Sequence, residues 1–277
     1  MSSIQMTDSQ LMLNARLPSF LESTLVWGNG SEQHSTRRRC PSPGDIEPRP
    51  TLVAPTEVAI LGDTPVPEDR AEEIANSASH ALGVVFSIAA SVVLIRFALS
   101  TGSASHTIAC VVYGSTAIAL YLASTVYHAV SNETLKLQFQ VVDHACIYLF
   151  IAGSYTPFLM TGMRGPLGWM LLVAIWTMAV VGIWTKVVAT RPLTTMSAVP
   201  YVAMGWLVVF AAKPLIESLP LESFGWIVVG GFFYTTGVYF FVRDQRRYNH
   251  FLWHLFVLAG SVSHFLAIAA TITATAP

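Results

Sequence analysis

Charge is what this sequence has least of. Only 11% of its 277 residues are Asp, Glu, Lys or Arg, while 53% are hydrophobic. A soluble domain carries about 25% charged residues, so an ordinary water-facing surface is excluded for most of the chain. The deficit is uneven: residues 1 to about 75 are polar, and apolar runs separated by short polar hinges follow. Fifteen basic residues against sixteen acidic ones leave a net charge of −1. That balance lacks the basic footprint of a nucleic-acid-binding protein. Cysteine is scarce too. Cys40, Cys110 and Cys146 show no paired spacing, which excludes a disulfide framework or a thiolate zinc site. There is no clear secretory signal, because LMLNARLPSFLESTLVWG is broken by polar residues and Pro18. The stretch RRRCPSPGDIEPRP mixes Pro, Ser and both charges without periodicity and reads as disorder. The expected organisation is a disordered cytoplasmic tail over 1–70 and a membrane domain over 71–277.

What the chain does have is long apolar segments. A helix crossing the hydrocarbon core needs roughly 20 mostly apolar residues. Seven segments qualify, near 77–98, 106–128, 143–162, 167–188, 195–213, 224–242 and 250–273. Gly102, Gly165, Pro166, Pro192, Pro214 and Pro220 punctuate them. Backbone groups in lipid must be satisfied within the segment, so the spans are helices and the fold is an all-α bundle. With the N-terminus cytoplasmic, the inside loops carry Lys136, Lys186, Arg191, Arg243, Arg246 and Arg247, with Arg70 on the same side. The outside keeps Arg96, Arg164 and Lys213. The positive-inside rule favours that orientation.

Placed on this map, several polar residues fall at one depth. His128 closes the second span, Asp143 opens the third, and His250 and His254 open the seventh. Ser124 and His128 are four residues apart, as are Asn76 and His80, and His250 and His254. Such pairs share a helix face. Zinc accepts neutral imidazole at about 2.0–2.1 Å in tetrahedral geometry. Two histidines one turn apart plus a third from another helix supply three nitrogens and leave a position for water, the pattern of a catalytic site. A carboxylate at that depth can hold and deprotonate the water. His pairs at this spacing also serve as plain interhelical hydrogen-bonding groups, so spacing alone leaves both readings open. His264, about 15 Å further along the same helix, reads as a buried hydrogen-bonding histidine. His144 points away from the Asp143 stripe. Trp169, Trp206, Trp226 and Trp253 read as interfacial anchors. Glu72 and Glu73 read as charges favoured at a helix N-terminus.

Four elements in order resemble the hemolysin III proteins, relatives of the progestin and adipoQ receptors often grouped with the alkaline ceramidases. They are EEIANSASHALG (72–83), the S-x3-H of Ser124 and His128, VVDHACIYLFIAGSYTPF (141–158), and HFLWHLFVLAGSVSHF (250–265). The resemblance runs from about residue 72 to the C-terminus and does not reach the tail. It implies seven helices, a cytoplasmic N-terminus in a bacterial plasma membrane, and a zinc near the cytoplasmic face held by His128, His250 and His254. It also implies Asp143 linked to the zinc through water, with Ser124 beside it. Three functions follow as expectations. The first is a zinc-dependent hydrolase of a membrane-lipid amide or ester, with Asp143 as base and Ser124 orienting Asp143 or stabilising the oxyanion. The second is a receptor-like protein with structural zinc. The third is a cytolytic pore former. A fold alone does not decide among them.

Overall fold

The computed structural model describes residues 70–163, 165–188 and 198–275. The tail expected over 1–70 lies outside the described residues apart from Arg70, as do Arg164 and Arg191. Every element among the described residues is helical. They are α1 (Arg70–Ser100), α2 (Ala104–Ala129), α3 (Glu133–Pro157) continued by a π-helical turn (Phe158–Gly162), α4 (Pro166–Val188), α5 (Ala198–Gly205), a 3-10 turn (Leu207–Ala211), α6 (Ala212–Ser218), α7 (Leu221–Phe241) and α8 (Asn249–Thr275). Together they make seven spans long and apolar enough to cross a membrane. The protein is an all-α integral membrane protein.

The burial pattern is that of a bundle in lipid. Large apolar side chains point outward, among them Val85, Phe97, Trp184 and Phe210. The interior holds polar groups: Asn76, Ser79, His80, Ser124, His128, Asp143 and His254 are all buried. Small residues let the helices approach. A methyl group at Gly237 would press on Trp253 and Phe256, and one at Gly230 on His264. α8 packs between α1 and α7, and α1 lies along α2. Tyr113 and Tyr121 of α2 tie α8 in by donating to Ser261 O (3.2 Å) and Ser261 Oγ (2.6 Å).

Two local features depart from expectation. α3 opens at Glu133, about three turns before Asp143, where hydropathy places its start. Lys136, Gln138 and Gln140 dilute the apolar signal, but Leu135, Leu137 and Phe139 alternate with them on a continuous helix. The cap is Asn132, whose side chain accepts from Leu135 N at 3.1 Å. Asp143 therefore lies in the helix interior, not at its start. The fifth span is also broken. Pro214 lacks an N–H for the carbonyl four residues back, and the chain tightens into the 3-10 turn at Leu207–Ala211 before α6. Trp206 sits at that break in mid-span rather than at a span end.

Candidate metal centre

Two helix ends carry the three histidines, and the start of α1 braces them. His128 is the penultimate residue of α2, on the inner stripe that also carries Tyr121 and Ser124. His250 is the second residue of α8, and His254 lies one turn further. The short chain between α7 and α8 turns at Tyr248, whose φ of 63° is the left-handed conformation. Its N–H donates to Glu72 Oε1 on α1 at 3.0 Å, which anchors the start of α8 against α1.

The three imidazoles converge. One ring nitrogen from each of His128, His250 and His254 lies within 4.8 Å of the others, and together they can hold a metal ion. His128 Nε2 and His250 Nε2 are buried without a hydrogen-bond partner among the described residues. Leaving such nitrogens unpaired is costly, and a metal ion is one partner that satisfies both. Two of the rings are held from behind. His128 Nδ1 lies 3.0 Å from Glu73 Oε2, to which it donates. His254 Nδ1 lies 3.2 Å from Asn76 O and 3.1 Å from Ser79 Oγ. A donating Nδ1 leaves Nε2 as the lone-pair nitrogen, the form that a metal requires.

Asp143 and Ser124 are buried at the same end of the bundle. Both line one cavity with His80, His144, His250 and His254. The Ser124 hydroxyl lies within interaction distance of the Asp143 carboxylate, though it makes no close hydrogen bond among the described residues. All five residues expected at the site thus come to one end of the bundle. His144, expected to point away, also reaches the cavity wall.

The cavity has a volume of about 610 Å³ and an almost wholly apolar wall. It runs from the histidines past Phe150, Tyr155 and Trp206 toward Met163, Leu215 and His264. Val209 of the fifth span and Phe232 of the sixth both line it and are largely exposed. The fifth and sixth spans touch only lightly, so the cavity reaches the flank of the bundle there. His264 differs from expectation. Neither ring nitrogen finds a hydrogen-bond partner among the described residues. Its ring instead meets Tyr234 and Phe158 edge-on at 5.2 and 6.2 Å.

The first turns of α1 are what the sequence reading missed. Glu73 reads there as a helix-terminal charge, yet it contacts His128. The signal was present, because Glu73 shares a helical stripe with Asn76 and His80.

Comparison with known proteins gives one family and several relatives. Residues 69–265 match the model of the family described as "Haemolysin-III related". The chain is 43% identical over 205 residues to Hemolysin-3 of Bacillus cereus, an alignment covering 74% of this chain and 94% of that protein. It is 39% identical over 197 residues to a Hemolysin-3 homolog of Bacillus subtilis (strain 168), covering 71% and 92%. Identity to the human monocyte to macrophage differentiation factor is 30% over 203 residues, covering 71% and 83%.

Proposed function

The chain belongs to the haemolysin-III-related family, and from that premise we propose that it is a zinc-dependent membrane hydrolase of a lipid amide or ester. The observation that carries this reading is the convergence of His128, His250 and His254 at the head of an apolar cavity that also holds Asp143 and Ser124. Three neutral imidazoles suit zinc, and a three-ligand set is the catalytic pattern. A zinc ion held there would supply Lewis-acid chemistry, polarising a carbonyl and lowering the pKa of water from 15.7 toward ~7.

The chain's own residues supply the rest. Asp143 accepts the proton of the attacking water and returns it to the leaving amine or alcohol as the C–N or C–O bond breaks, which releases the fatty acid. Ser124 orients the Asp143 carboxylate or donates to the oxygen on which negative charge develops. The apolar wall takes the acyl chain, and the flank between the fifth and sixth spans gives it a path from the bilayer. A buried, water-poor site strengthens each of these electrostatic contacts.

We further propose that the N-terminus and the site face the cytoplasm. Lys136, Lys186, Arg243, Arg246 and Arg247 lie toward the same end of the bundle as the three histidines, as the positive-inside rule favours. The expected home is the bacterial plasma membrane.

A pore former would need a polar lumen, and the apolar cavity wall speaks for a lipid chain over water. A receptor-like protein with structural metal needs the histidines but neither Asp143 nor the cavity. The test is fatty-acid release from a panel of ceramides and phospholipids by protein purified in detergent, with metal content measured in parallel. The expected result is about one zinc per chain, loss of metal in the His250→Ala/His254→Ala protein, and turnover that a chelator abolishes and zinc restores. Stoichiometric zinc with no turnover on any substrate would favour the structural-metal reading.

A further inference from the structure

A histidine binds metal well only when its other ring nitrogen is held, because that bond fixes the tautomer and aims the ring. In this bundle the holding groups come from one place. The first three turns of α1 supply Glu73 to His128, the Asn76 carbonyl and Ser79 hydroxyl to His254, and Glu72 to the backbone of Tyr248, two residues before His250. Their spacing, 72, 73, 76 and 79, is the spacing of one helix face. α1 itself supplies no residue to the three-histidine group.

We propose that Glu73 is a positioning residue of the metal centre. Its carboxylate fixes His128 with Nδ1 as donor and Nε2 as lone pair. The inference rests on the metal reading given above but not on hydrolysis. The geometry separates this role from a plain interhelical ion pair. Glu73 Oε2 lies 3.0 Å from His128 Nδ1 and also 3.0 Å from Lys136 Nζ. Lys136 holds the carboxylate from the α3 side, and the histidine side is the one that faces the centre. The opposite nitrogen of that ring, Nε2, is buried without a hydrogen-bond partner among the described residues, so the bond to Glu73 is the ring's hydrogen bond among them. Glu73 is half-buried, which shields the bond from water.

Two roles make different predictions. If Glu73 only ties α1 to α2 and α3, removing either Glu73 or Lys136 should loosen the fold and affect the metal only through the fold. If Glu73 positions His128, the two substitutions should part company. Glutamine keeps the size of the side chain but can also donate to Nδ1, which would turn Nε2 into an N–H and remove the lone pair.

The test uses full-length protein in detergent, stripped of metal and titrated with Zn²⁺ against a competing chelator dye, then with Co²⁺ followed by its visible absorption. Glu73→Gln should weaken zinc binding by about 10–100-fold, the usual cost of losing a group that orients a ligand, and should shift the Co²⁺ bands. Lys136→Gln should change affinity by less than about fivefold, the scale of a partly exposed ion pair. Melting of the metal-free Glu73→Gln protein should match wild type. Wild-type affinity and an unchanged Co²⁺ spectrum in Glu73→Gln would overturn the proposal. So would equal weakening by both substitutions together with lower melting of the metal-free proteins. Wild-type protein that binds neither metal overturns this role and the metal reading together. Failure to hydrolyse any lipid, with tight zinc binding that depends on Glu73, supports this role and counts only against the hydrolase.

Discussion

The imidazole of His80 lies flat against that of His254, with ring centroids 3.5 Å apart and planes 19° from parallel. His254 is thus held on two sides, by the Asn76 carbonyl at Nδ1 and by a ring across its face. Neither nitrogen of His80 has a hydrogen-bond partner among the described residues, so the contact with His254 works through the face of the ring. Tyr121 meets His80 edge-on at 5.1 Å and backs the stack. Phenylalanine keeps the flat surface, while alanine leaves a hole beside a ring that can hold a metal ion. His80→Phe is therefore expected to bind zinc within about fivefold of wild type, a difference near 1 kcal/mol. His80→Ala should bind about 10–100-fold more weakly. Zinc titration against a chelator dye measures both. Equal losses in the two proteins would show that the imidazole nitrogens matter, not the stack.

Packing around the same tyrosine gives a stability prediction. Gly83 of α1 lies against the Tyr121 ring, and a methyl group there would run into it. Tyr121 has little freedom to retreat, because its hydroxyl donates to Ser261 Oγ at 2.6 Å. Gly83→Ala should destabilise the protein by about 1–3 kcal/mol, as overpacking does. Thermal melting in detergent reads this, and a double-mutant cycle with Tyr121→Ala should show that the two losses do not add. Additive losses would place the cost of Gly83→Ala elsewhere.

These contacts mark how far the sequence could be read. The seven spans are legible because hydrocarbon demands long apolar runs, and short polar hinges separate them. The shared depth of His128, His250 and His254 follows from span ends and helical spacing, while their convergence as one ligand set is what the family resemblance implies. The start of α3 does not. Its first turns alternate Leu135, Leu137 and Phe139 with polar residues, and a hydropathy reading stops where that mixture begins. The break in the fifth span is hinted at by Pro214, but the loose contact between the fifth and sixth spans is a tertiary outcome with no local signal. Glu73 is not legible as a site residue, because an acidic residue near a helix N-terminus already has a sufficient local explanation in the helix dipole. Its partner His128 is 55 residues away in the chain.

Orientation follows from the loops. Gln245, between α7 and α8, and Ser218, at the end of α6, are both exposed and lie at opposite ends of the bundle. Cysteines placed there one at a time, in a protein whose own cysteines are replaced by alanine, should differ in reactivity on intact cells. An impermeant maleimide should label the cysteine at position 218 and spare the one at 245 until the membrane is opened. The reverse pattern would put the histidines on the outer face and remove the argument for a cytoplasmic site.

Asp143 separates chemistry from scaffold. A role as helix cap would be worth roughly 0.5–2 kcal/mol, but the cap of α3 is Asn132, and Asp143 lies well inside the helix. A buried carboxylate in a helix interior, on the wall of an apolar cavity, is costly unless it serves a purpose. As the base of a hydrolysis it would contribute about 10²–10⁴-fold in rate. Asparagine keeps the shape and a hydrogen-bonding oxygen but cannot take a proton at neutral pH. Asp143→Asn is expected to fold and melt like wild type or slightly higher, since a buried charge has been removed. It should retain zinc when the metal is in excess, because losing a group beside the ligands weakens affinity by only about 10–100-fold. Its release of fatty acid from the best wild-type substrate should fall by about 10²–10⁴-fold. Zinc-loaded Asp143→Asn protein that turns over as fast as wild type would remove Asp143 from the role of base, and the proton would have to be sought at another group on the cavity wall, with His144 the first to test.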